Sequence, residues 1–221
     1  MDNPLVKLLL VDSYDSFTFN LQHLFATIAG VTLTVVRNDD DFLADVKKGK
    51  FDGIIIGPGP GSPEDPAYFG NNRWMIENYA VHQRPILGIC LGFQGIYLYY
   101  GGALKVAERP MHGKTSRIHI TQKSPILHKI AQSQAVMRYH SIMLDLAKPQ
   151  PRNIAILART HADPTNGVNG EEVMAIQHKE FPIYGLQFHP ESFATESGMQ
   201  YAHNFVQITQ DAIKKRRHYS G

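Results

Sequence analysis

Cysteine is almost absent from this chain, since Cys90 is the only one among 221 residues. A single thiol excludes an internal disulfide and favours a reducing compartment. An excess of one charge is lacking as well, because 22 Lys and Arg residues nearly balance 20 Asp and Glu residues. The formal net charge of +2 gives no indication of a nucleic-acid or membrane partner.

Long hydrophobic runs and sequence repeats are also missing. The first apolar run, residues 8–11, ends at Asp12, and no run approaches the ~20 apolar residues of a transmembrane helix. The N-terminus does not show the basic region, apolar stretch and cleavage site of a secretion signal. The composition, with 43% hydrophobic and 19% charged residues, is that of a soluble globular protein, which we expect to be cytoplasmic.

The first half of the sequence alternates short apolar runs with helical patterns, which is typical of a parallel sheet covered by helices on both faces. This alternation predicts strands over residues 6–12, 31–37, 52–56 and 85–90. It predicts helices over residues 21–28, 42–48 and 73–80.

From residue 103 onward the sequence changes to short β-prone runs separated by turns. Strands are predicted over residues 104–106, 117–121, 135–139, 154–160, 172–178 and 183–189. A final helix is predicted over 198–215 and an exposed loop over 162–170. The basic stretch KKRRHY (214–219) is interpreted as a solvated helix end, with cations suited to a helix C-terminus; a basic tail from about 214 is the alternative. Since no linker divides the chain, we expect one α/β domain over residues 1–221, with an open, mostly parallel sheet and an additional small antiparallel β region.

Cys90 lies between two glycines in the stretch GICLG (88–92), where a predicted strand gives way to a helix. The form Gly-x-nucleophile-x-Gly is typical of a nucleophile elbow, in which the glycines allow a tight, strained turn. The amides at the start of the following helix would favour the thiolate. A buried structural thiol is the alternative, since free cysteines are mostly small core residues.

A partner that moves protons is available in GLQFHPES (185–192). Pro190 favours an extended conformation at His189, so the His189 and Glu191 side chains can project from the same face. The imidazole could then act as base and acid for Cys90 while the carboxylate orients it. A surface turn with an ordinary ion pair is the alternative. Neither His-Glu-x-x-His nor a cysteine pair is present, so no metal site is predicted.

Acyl-transfer chemistry also needs donors aimed at an oxyanion. The backbone amide of Leu91, next to the nucleophile, is one candidate. The loop IGPGPGSPED (56–65) allows close approach of its backbone to a ligand, and Gly59 is the second candidate. A simple Gly-Pro turn between a strand and a helix is the alternative.

Two other segments are given structural interpretations. The segment DSYDSFT (12–18) follows the first strand but lacks a glycine that would let a phosphate approach the backbone, so we predict that Ser16 caps the next helix. The segment GKTS (113–116) is not a nucleotide-binding loop, because the full pattern requires glycine where Glu108 stands.

Several motifs together resemble one family. The stretches GPGPGSP, GICLGFQ and QFHPES occur in this order in the class I glutamine amidotransferases, whose catalytic triad is Cys, His and Glu. The subset formed by the amidotransferase subunits of anthranilate synthase and aminodeoxychorismate synthase is similar in further stretches, namely VDSYDSFTFNL (11–21), MHGKTS (111–116), RYHS (138–141) and EVMAIQH (172–178). The resemblance spans nearly the whole chain and implies a flavodoxin-like open sheet.

The resemblance also implies roles for individual residues. Cys90 matches the nucleophile, His189 the acid and base, and Glu191 the residue that orients the histidine. Gly59 and Leu91 match the oxyanion hole. The positions matched to glutamine binding are Gly59, Pro60, Gly61, Gln94, Ser141 and Ile142. In this family the segment containing His112 and Lys114 lies toward the partner subunit, so both are candidate interface residues; a solvated turn is the alternative.

Two positions depart from the family's common pattern. Phe93 stands where many relatives have histidine, and Gly57 stands where serine is common. Because His189 would supply the proton chemistry, we expect Phe93 to affect packing or partner contact rather than the chemical step. We expect the effect at Gly57 to be small.

The activity implied by the resemblance is hydrolysis of L-glutamine and delivery of ammonia to a chorismate-binding synthase large subunit. The product would be anthranilate in the tryptophan pathway, 4-amino-4-deoxychorismate in the folate pathway, or both. No cofactor is expected in this subunit. A free-standing cysteine hydrolase of the same fold, such as a γ-glutamyl peptidase, is the alternative, and a non-catalytic activating subunit is a third possibility.

Overall fold

The computed structural model describes residues 5–79, 82–160 and 169–219. The strands in these residues are β1 (Val6–Asp12), β2 (Val31–Arg37), β3 (Gly53–Ile56), β4 (Ile86–Ile89), β5 (Leu104–Ile120), β6 (Ala135–Leu144), β7 (Ile154–Thr160), β8 (Val173–His178) and β9 (Ile183–Leu186). The α-helices are α1 (Thr18–Ala26), α2 (Leu43–Lys47), α3 (Pro66–Phe69), α4 (Asn72–Asn78), α5 (Leu91–Tyr99) and α6 (Gly198–Tyr219). A short 3-10 helix covers Pro125–Leu127.

The strands form one sheet in the order β2-β1-β3-β4-β9-β8-β7-β5-β6. The first five of these strands are parallel, and their order corresponds to the 2-1-3-4-5 order of flavodoxin-like folds. The other four are antiparallel to their neighbours. The predicted flavodoxin-like sheet is therefore confirmed, and the predicted antiparallel β region is an extension of the same sheet.

Helices cover both faces of the parallel strands. Phe25 of α1 and Phe205 of α6 pack on one face, with ring centroids 6.3 Å apart. Met75 of α4 and Ile96 of α5 pack on the other. Because both faces are covered, every residue of β3 and β4 is buried, which explains their uninterrupted apolar sequences. In the described parts of the chain, no helix has the length and apolar character to cross a membrane.

The antiparallel half departs most from the sequence-based prediction. The two short strands predicted at 104–106 and 117–121 are parts of the single strand β5, which also includes the intervening segment. Register shifts between Val106 and Met111 and between His112 and Lys114 interrupt its pairing with β6. Pro110 and Gly113 are turn signals in the sequence, but β-bulges accommodate such residues within a strand.

The prediction that Ser16 caps α1 was wrong. Helix α1 begins at Thr18, and the residue before it, Phe17, makes no side-chain capping bond. Two carboxylates organise the turn instead, since Asp15 Oδ1 accepts the Phe17 amide at 2.8 Å and Asp12 Oδ1 accepts the Thr18 hydroxyl at 2.6 Å. A carboxylate is a stronger hydrogen-bond acceptor than a hydroxyl, so the two aspartates, and not Ser16, accept the donors at the start of α1.

The C-terminal helix is longer than predicted. Helix α6 continues to Tyr219, so the basic stretch from 214 forms its last turns, which confirms the interpretation as a helix end. Arg216 Nη2 donates a hydrogen bond to Asp52 Oδ1 at 3.2 Å, which connects the end of the helix to the residue before β3.

Helix α3 and the 3-10 helix were not predicted. The exposed loop predicted over 162–170 lies largely outside the described residues.

A buried ion pair joins three of the antiparallel strands. Arg138 on β6 pairs with Glu172, directly before β8, and both side chains have no exposed surface. Arg138 Nη1 also donates to Ser116 Oγ on β5 at 2.9 Å. Asn169 Nδ2 donates to Glu172 Oε1 at 3.2 Å. The ion pair and the hydrogen bonds compensate for the burial of the two charges, although Glu172 Oε2 accepts no hydrogen bond from the described residues.

Removing one partner of this pair should therefore be costly. We expect Arg138→Met to lower the free energy of unfolding by about 3–5 kcal/mol, because it leaves the Glu172 carboxylate buried without its countercharge. Lys50→Met is the control: Lys50 pairs with Asp45 at 2.7 Å, but both side chains are exposed. Its cost should be below about 1 kcal/mol. Urea unfolding monitored by circular dichroism measures the free energy of unfolding of both variants. Equal decreases in the two variants would show that burial does not determine the cost of losing the ion pair.

Candidate active site

The chain leaves four neighbouring parallel strands at the same edge of the sheet. The carboxyl ends of β1, β3, β4 and β9 meet there, which is where open α/β sheets bind ligands. The segments that follow these ends contain the DSYDSFT stretch, the GPGPG loop, Cys90 and His189. The fold therefore brings together motifs that lie far apart in the sequence.

Cys90 occupies a strained turn between β4 and α5. Its φ of 53° and ψ of −100° place a non-glycine residue at positive φ, which is energetically unfavourable. A Cβ atom at Gly88 would lie 2.5 Å from the Gly92 carbonyl carbon, and one at Gly92 would overlap the Ile56 carbonyl oxygen. Both flanking glycines are therefore required for close packing, and the predicted tight, strained turn is confirmed.

His189 and Glu191 form a buried pair beside this turn. His189 Nδ1 donates to Glu191 Oε1 at 2.6 Å, which leaves Nε2 as the free nitrogen of the ring. Among the described residues, Nε2 meets no partner at hydrogen-bonding geometry. Burial alone would lower the pKa of His189, but interactions with Cys90 and Glu191 raise it well above its ordinary value. The imidazolium form is thus favoured next to the sulfur.

Two aromatic side chains that sequence reasoning missed cover His189. The rings of Phe17 and Tyr139 stack with their centroids 5.0 Å apart, and Tyr139 presents its ring edge-on to His189 at 5.1 Å. Asp15 lies next to them, and burial raises the pKa of its carboxyl, an effect that the Phe17 amide and the charge of His189 offset only in part. No sequence pattern indicated these contacts, because they join the loop after β1 to the distant strand β6.

The GPGPG loop brings Gly59 close to the start of α5. A Cβ atom at Gly59 would lie 2.6 Å from both Ser13 Cβ and the Ser13 carbonyl oxygen, and 2.9 Å from Leu91 Cδ2. Only glycine fits between these two segments. Asn72 Nδ2 donates to Ser13 Oγ at 3.2 Å in a fully buried contact behind the loop. Gly59 and Leu91, the two candidate oxyanion donors, are therefore neighbours.

The residues matched to glutamine binding come from three segments. Gln94 on α5 and Ile142 on β6 are in direct contact, since Gln94 Nε2 donates to the Ile142 carbonyl at 2.9 Å. Ser141 is half-buried beside Ile142. Pro60 and Gly61 are exposed in the loop after β3, where Gly61 has a φ of 76° and lies against the Tyr68 ring.

Gln187 is a residue of the site that sequence reasoning did not single out. Its Nε2 atom contacts Cys90 Sγ at 3.6 Å, and its Oε1 atom accepts from Gln94 Nε2 at 3.1 Å. The signal was available, because Gln187 lies two residues before His189. In an extended segment these two side chains project to the same side.

A neutral histidine lies behind the Ile142 carbonyl. His140 Nδ1 bonds this carbonyl at 3.0 Å, and Arg138 Nε donates to His140 Nε2 at 3.2 Å. Burial, followed by the charge of Arg138, lowers the pKa of His140 to about 3. A ring that donates from one nitrogen and accepts at the other must be neutral, so the geometry and the pKa agree.

His112 and Lys114 are exposed on β5 at the edge of the site. His112 pairs with Tyr139 across the ladder, and Lys114 pairs with Arg138. A Cβ atom at Gly113, between them, would lie 3.6 Å from the Tyr139 ring. This exposed segment is therefore one strand away from the aromatic pair over His189.

The two departures from the family pattern have different local consequences. Phe93 is completely buried, and its ring packs over Gly185 of β9, so its effect is on packing and not on partner contact. At Gly57, a Cβ atom would lie 2.7 Å from the Val11 carbonyl oxygen, so a serine there requires the loop to shift.

Within the described ranges, no cluster of three or more His, Cys, Asp or Glu side chains could hold a metal ion.

Comparisons with curated proteins give consistent results. The chain is 43% identical to anthranilate synthase component 2 of Lactococcus lactis over 199 residues, covering 90% of this chain and 93% of that protein. It is 39% identical to the same component of Leptospira biflexa, over 91% of this chain and 99% of that protein. Aminodeoxychorismate synthase of Streptomyces griseus is 35% identical over 93% of this chain, which corresponds to 26% of that longer protein.

A solved structure and a family model agree with this result. The crystal structure of a Thermoplasma acidophilum protein described as part of a GMP synthase has a TM-score of 0.81 and 23% identity, covering 98% of this chain and all of that chain, which supports the fold. The model of the family described as glutamine amidotransferase class-I matches residues 9–208. This chain therefore belongs to the class-I glutamine amidotransferase family.

Proposed function

We propose that this protein hydrolyses L-glutamine with a Cys90–His189–Glu191 triad and delivers the ammonia to a chorismate-binding synthase partner. The observation that carries the proposal is the buried His189–Glu191 pair, 2.6 Å between Nδ1 and Oε1, placed beside a cysteine in a strained turn. Orientation of an imidazole by a carboxylate next to a nucleophile is the arrangement that acyl transfer requires.

In the first half of the reaction, the Cys90 thiolate attacks the side-chain carbonyl carbon of glutamine. The developing oxyanion accepts hydrogen bonds from the backbone amides of Gly59 and Leu91, whose donors need no reorganisation during the reaction. His189 gives its Nε2 proton to the departing amine, which leaves as ammonia and creates a thioester. Glu191 stabilises the imidazolium before this transfer.

In the second half, water attacks the thioester carbon. His189, now neutral, takes a proton from the water, and a second tetrahedral intermediate forms in the same oxyanion hole. Its collapse breaks the carbon–sulfur bond, releases glutamate and restores the Cys90 thiolate beside the protonated His189. The raised pKa of His189 is consistent with this resting ion pair.

Ammonia released in bulk water is protonated and no longer nucleophilic, which is why the proposal includes a partner. The proteins from Lactococcus lactis and Leptospira biflexa are named as component 2 of anthranilate synthase, and such a name denotes one part of a larger enzyme. Exposed apolar side chains on α1, on β5 and shortly after the triad glutamate support this idea: Phe19 is 72% exposed, Val106 74% and Phe193 98%. We propose that they belong to a docking surface around the site.

The most specific part of the proposal is the assignment of a biosynthetic pathway. Relatives named anthranilate synthase component 2 match over nearly their whole length, which favours anthranilate as the product and the tryptophan pathway. A relative named aminodeoxychorismate synthase at 35% identity keeps the folate pathway as a second product assignment. Both syntheses would take place in the cytoplasm and would need no cofactor in this subunit.

The triad assignment predicts the effect of removing each group. We expect Cys90→Ser and His189→Ala each to reduce glutamine hydrolysis by about a thousandfold or more, because the nucleophile or its proton carrier is lost. Glutamate release, measured with the synthase partner present, gives the rate. His203→Ala, which changes an exposed histidine on α6, is the control and should retain activity within about twofold. Near-normal hydrolysis by the His189 variant would rule out the triad.

The partner assignment predicts glutamine-dependent product formation from chorismate. The chain would be mixed separately with the large subunit of anthranilate synthase and with that of aminodeoxychorismate synthase, both from the same host, and each product would be quantified. We expect anthranilate with the first mixture; product in both mixtures would indicate that the two synthases share this chain. No product in either, together with hydrolysis of γ-glutamyl peptides by the chain alone, would support the free-standing hydrolase instead.

The surface around β5 predicts where the partner binds. We expect the double variant His112→Ala/Lys114→Ala to weaken binding of the productive large subunit by about tenfold, since both side chains are exposed beside the site. Lys123→Ala removes an exposed lysine from another part of the surface and should leave the affinity unchanged. Calorimetric titration measures both. Equal affinities for wild type and the double variant would exclude this segment from the interface.

A further inference from the structure

The side chain of Gln187, the residue directly after β9, reaches the Cys90 sulfur. Its Nε2 atom lies 3.6 Å from Cys90 Sγ, within the range for a hydrogen bond to sulfur. The side chain is fixed at its base, because the backbone N–H of Gln187 donates to the Met174 carbonyl at 2.9 Å. It is also almost completely buried, with 1% of its surface exposed. The large majority of polar side chains buried so deeply have a hydrogen-bond partner.

The hydrogen bonds around Gln187 determine which end of its carboxamide faces the sulfur. The Ile142 carbonyl can only accept, so the atom of Gln94 that contacts it at 2.9 Å is the donor Nε2. The same Nε2 donates to Gln187 Oε1 at 3.1 Å. A reversed Gln187 carboxamide would place two donors against each other. The N–H end of Gln187 therefore points to Cys90.

We infer that Gln187 is a positioning residue for the nucleophile: its N–H holds the Cys90 sulfur in place and favours the thiolate over the thiol. A thiolate only accepts hydrogen bonds, and a bond to a charged acceptor is stronger than one to a neutral acceptor. The inference rests on the proposed function in taking Cys90 as the nucleophile. It goes beyond the triad in adding a donor that is neither the base nor part of the oxyanion hole.

The titratable groups around the sulfur and its base come from several elements. His189 and Glu191 follow β9, and Asp15 lies in the loop after β1. On β6, His140 interacts with His189 and is itself influenced by Arg138. None of these residues is changed in the variants below. A change in the pH dependence of the sulfur is therefore attributable to the Gln187 carboxamide.

Alkylation of Cys90 provides a test that does not depend on any enzymatic activity, because the chain has no other cysteine. The rate of reaction with iodoacetamide would be measured from pH 5 to 10 for wild type and for Gln187→Met, which has a side chain of similar length without the N–H. Relative to wild type, we expect Gln187→Met to reach its half-maximal alkylation rate at a pH about one unit higher. Its alkylation rate at low pH should be about tenfold lower.

Two further variants complete the test. Gln187→Asn shortens the side chain by one methylene, so that its amide no longer reaches the sulfur, and it should shift the profile in the same direction. Gln177→Met is the matched control, because Gln177 on β8 is bonded to Ser124 at 2.7 Å and not to the site. It should leave the profile unchanged. Thermal unfolding of each variant confirms that the alkylated protein is folded.

The outcomes separate this inference from the proposed function. An unchanged alkylation profile in both Gln187 variants overturns the inference, whatever the glutaminase activity. In glutamine hydrolysis, we expect Gln187→Met to have a kcat about tenfold lower than that of wild type and a KM within about twofold of the wild-type value. A raised KM with unchanged kcat would assign Gln187 to substrate binding and overturn the inference. A wild-type protein without glutaminase activity would contradict the proposed function, and the alkylation series would still decide the role of Gln187.

Discussion

Parallel pairing of β4 with β9 determines where the sulfur and its neighbours lie. Ile89 is in register with Leu186, and the Cys90 amide continues the ladder by donating to the Leu186 carbonyl at 2.8 Å. The chain therefore leaves β9 directly beside the turn at Cys90. Side chains alternate across the extended segment that follows, so Gln187 and His189 face the sulfur while Phe188 packs against Tyr201 on the other side. A slip of one residue would exchange these faces and disassemble the site.

Close packing of α5 is the second constraint, and it explains the strain at Cys90. A Cβ atom at Gly92 would overlap the Ile56 carbonyl oxygen, and one at Gly95 would overlap the Phe69 ring, so the helix lies as near to β3 and α3 as its backbone allows. To enter a helix in this position, the chain must turn sharply at Cys90. A positive φ costs about 1–3 kcal/mol. Burial of the apolar side chains of α5 offsets that cost, and the helix start is directed at the sulfur.

Much of the fold and site could be predicted because the relevant patterns are local. Strands buried on both faces, such as β3, have uninterrupted apolar sequences, and the Gly-x-Cys-x-Gly turn and the His-Pro-Glu spacing are short. The rest depends on tertiary contacts. Strand β5 was predicted as two short strands, because exposed residues and β-bulges in its middle obscure the sequence pattern of one continuous strand. The aromatic pair over His189 joins Phe17 to Tyr139, and no local pattern connects residues so far apart.

The neutral state of His140 explains how the carboxamides near Cys90 keep one orientation. The Ile142 carbonyl accepts from His140 Nδ1 and from Gln94 Nε2, so it fixes the direction of Gln94. His140 could donate from Nε2 as well only if it were protonated, and it would then repel Arg138. Its pKa of about 3 keeps it neutral throughout the neutral range. The hydrogen bonds behind the sulfur therefore do not change with pH near neutrality.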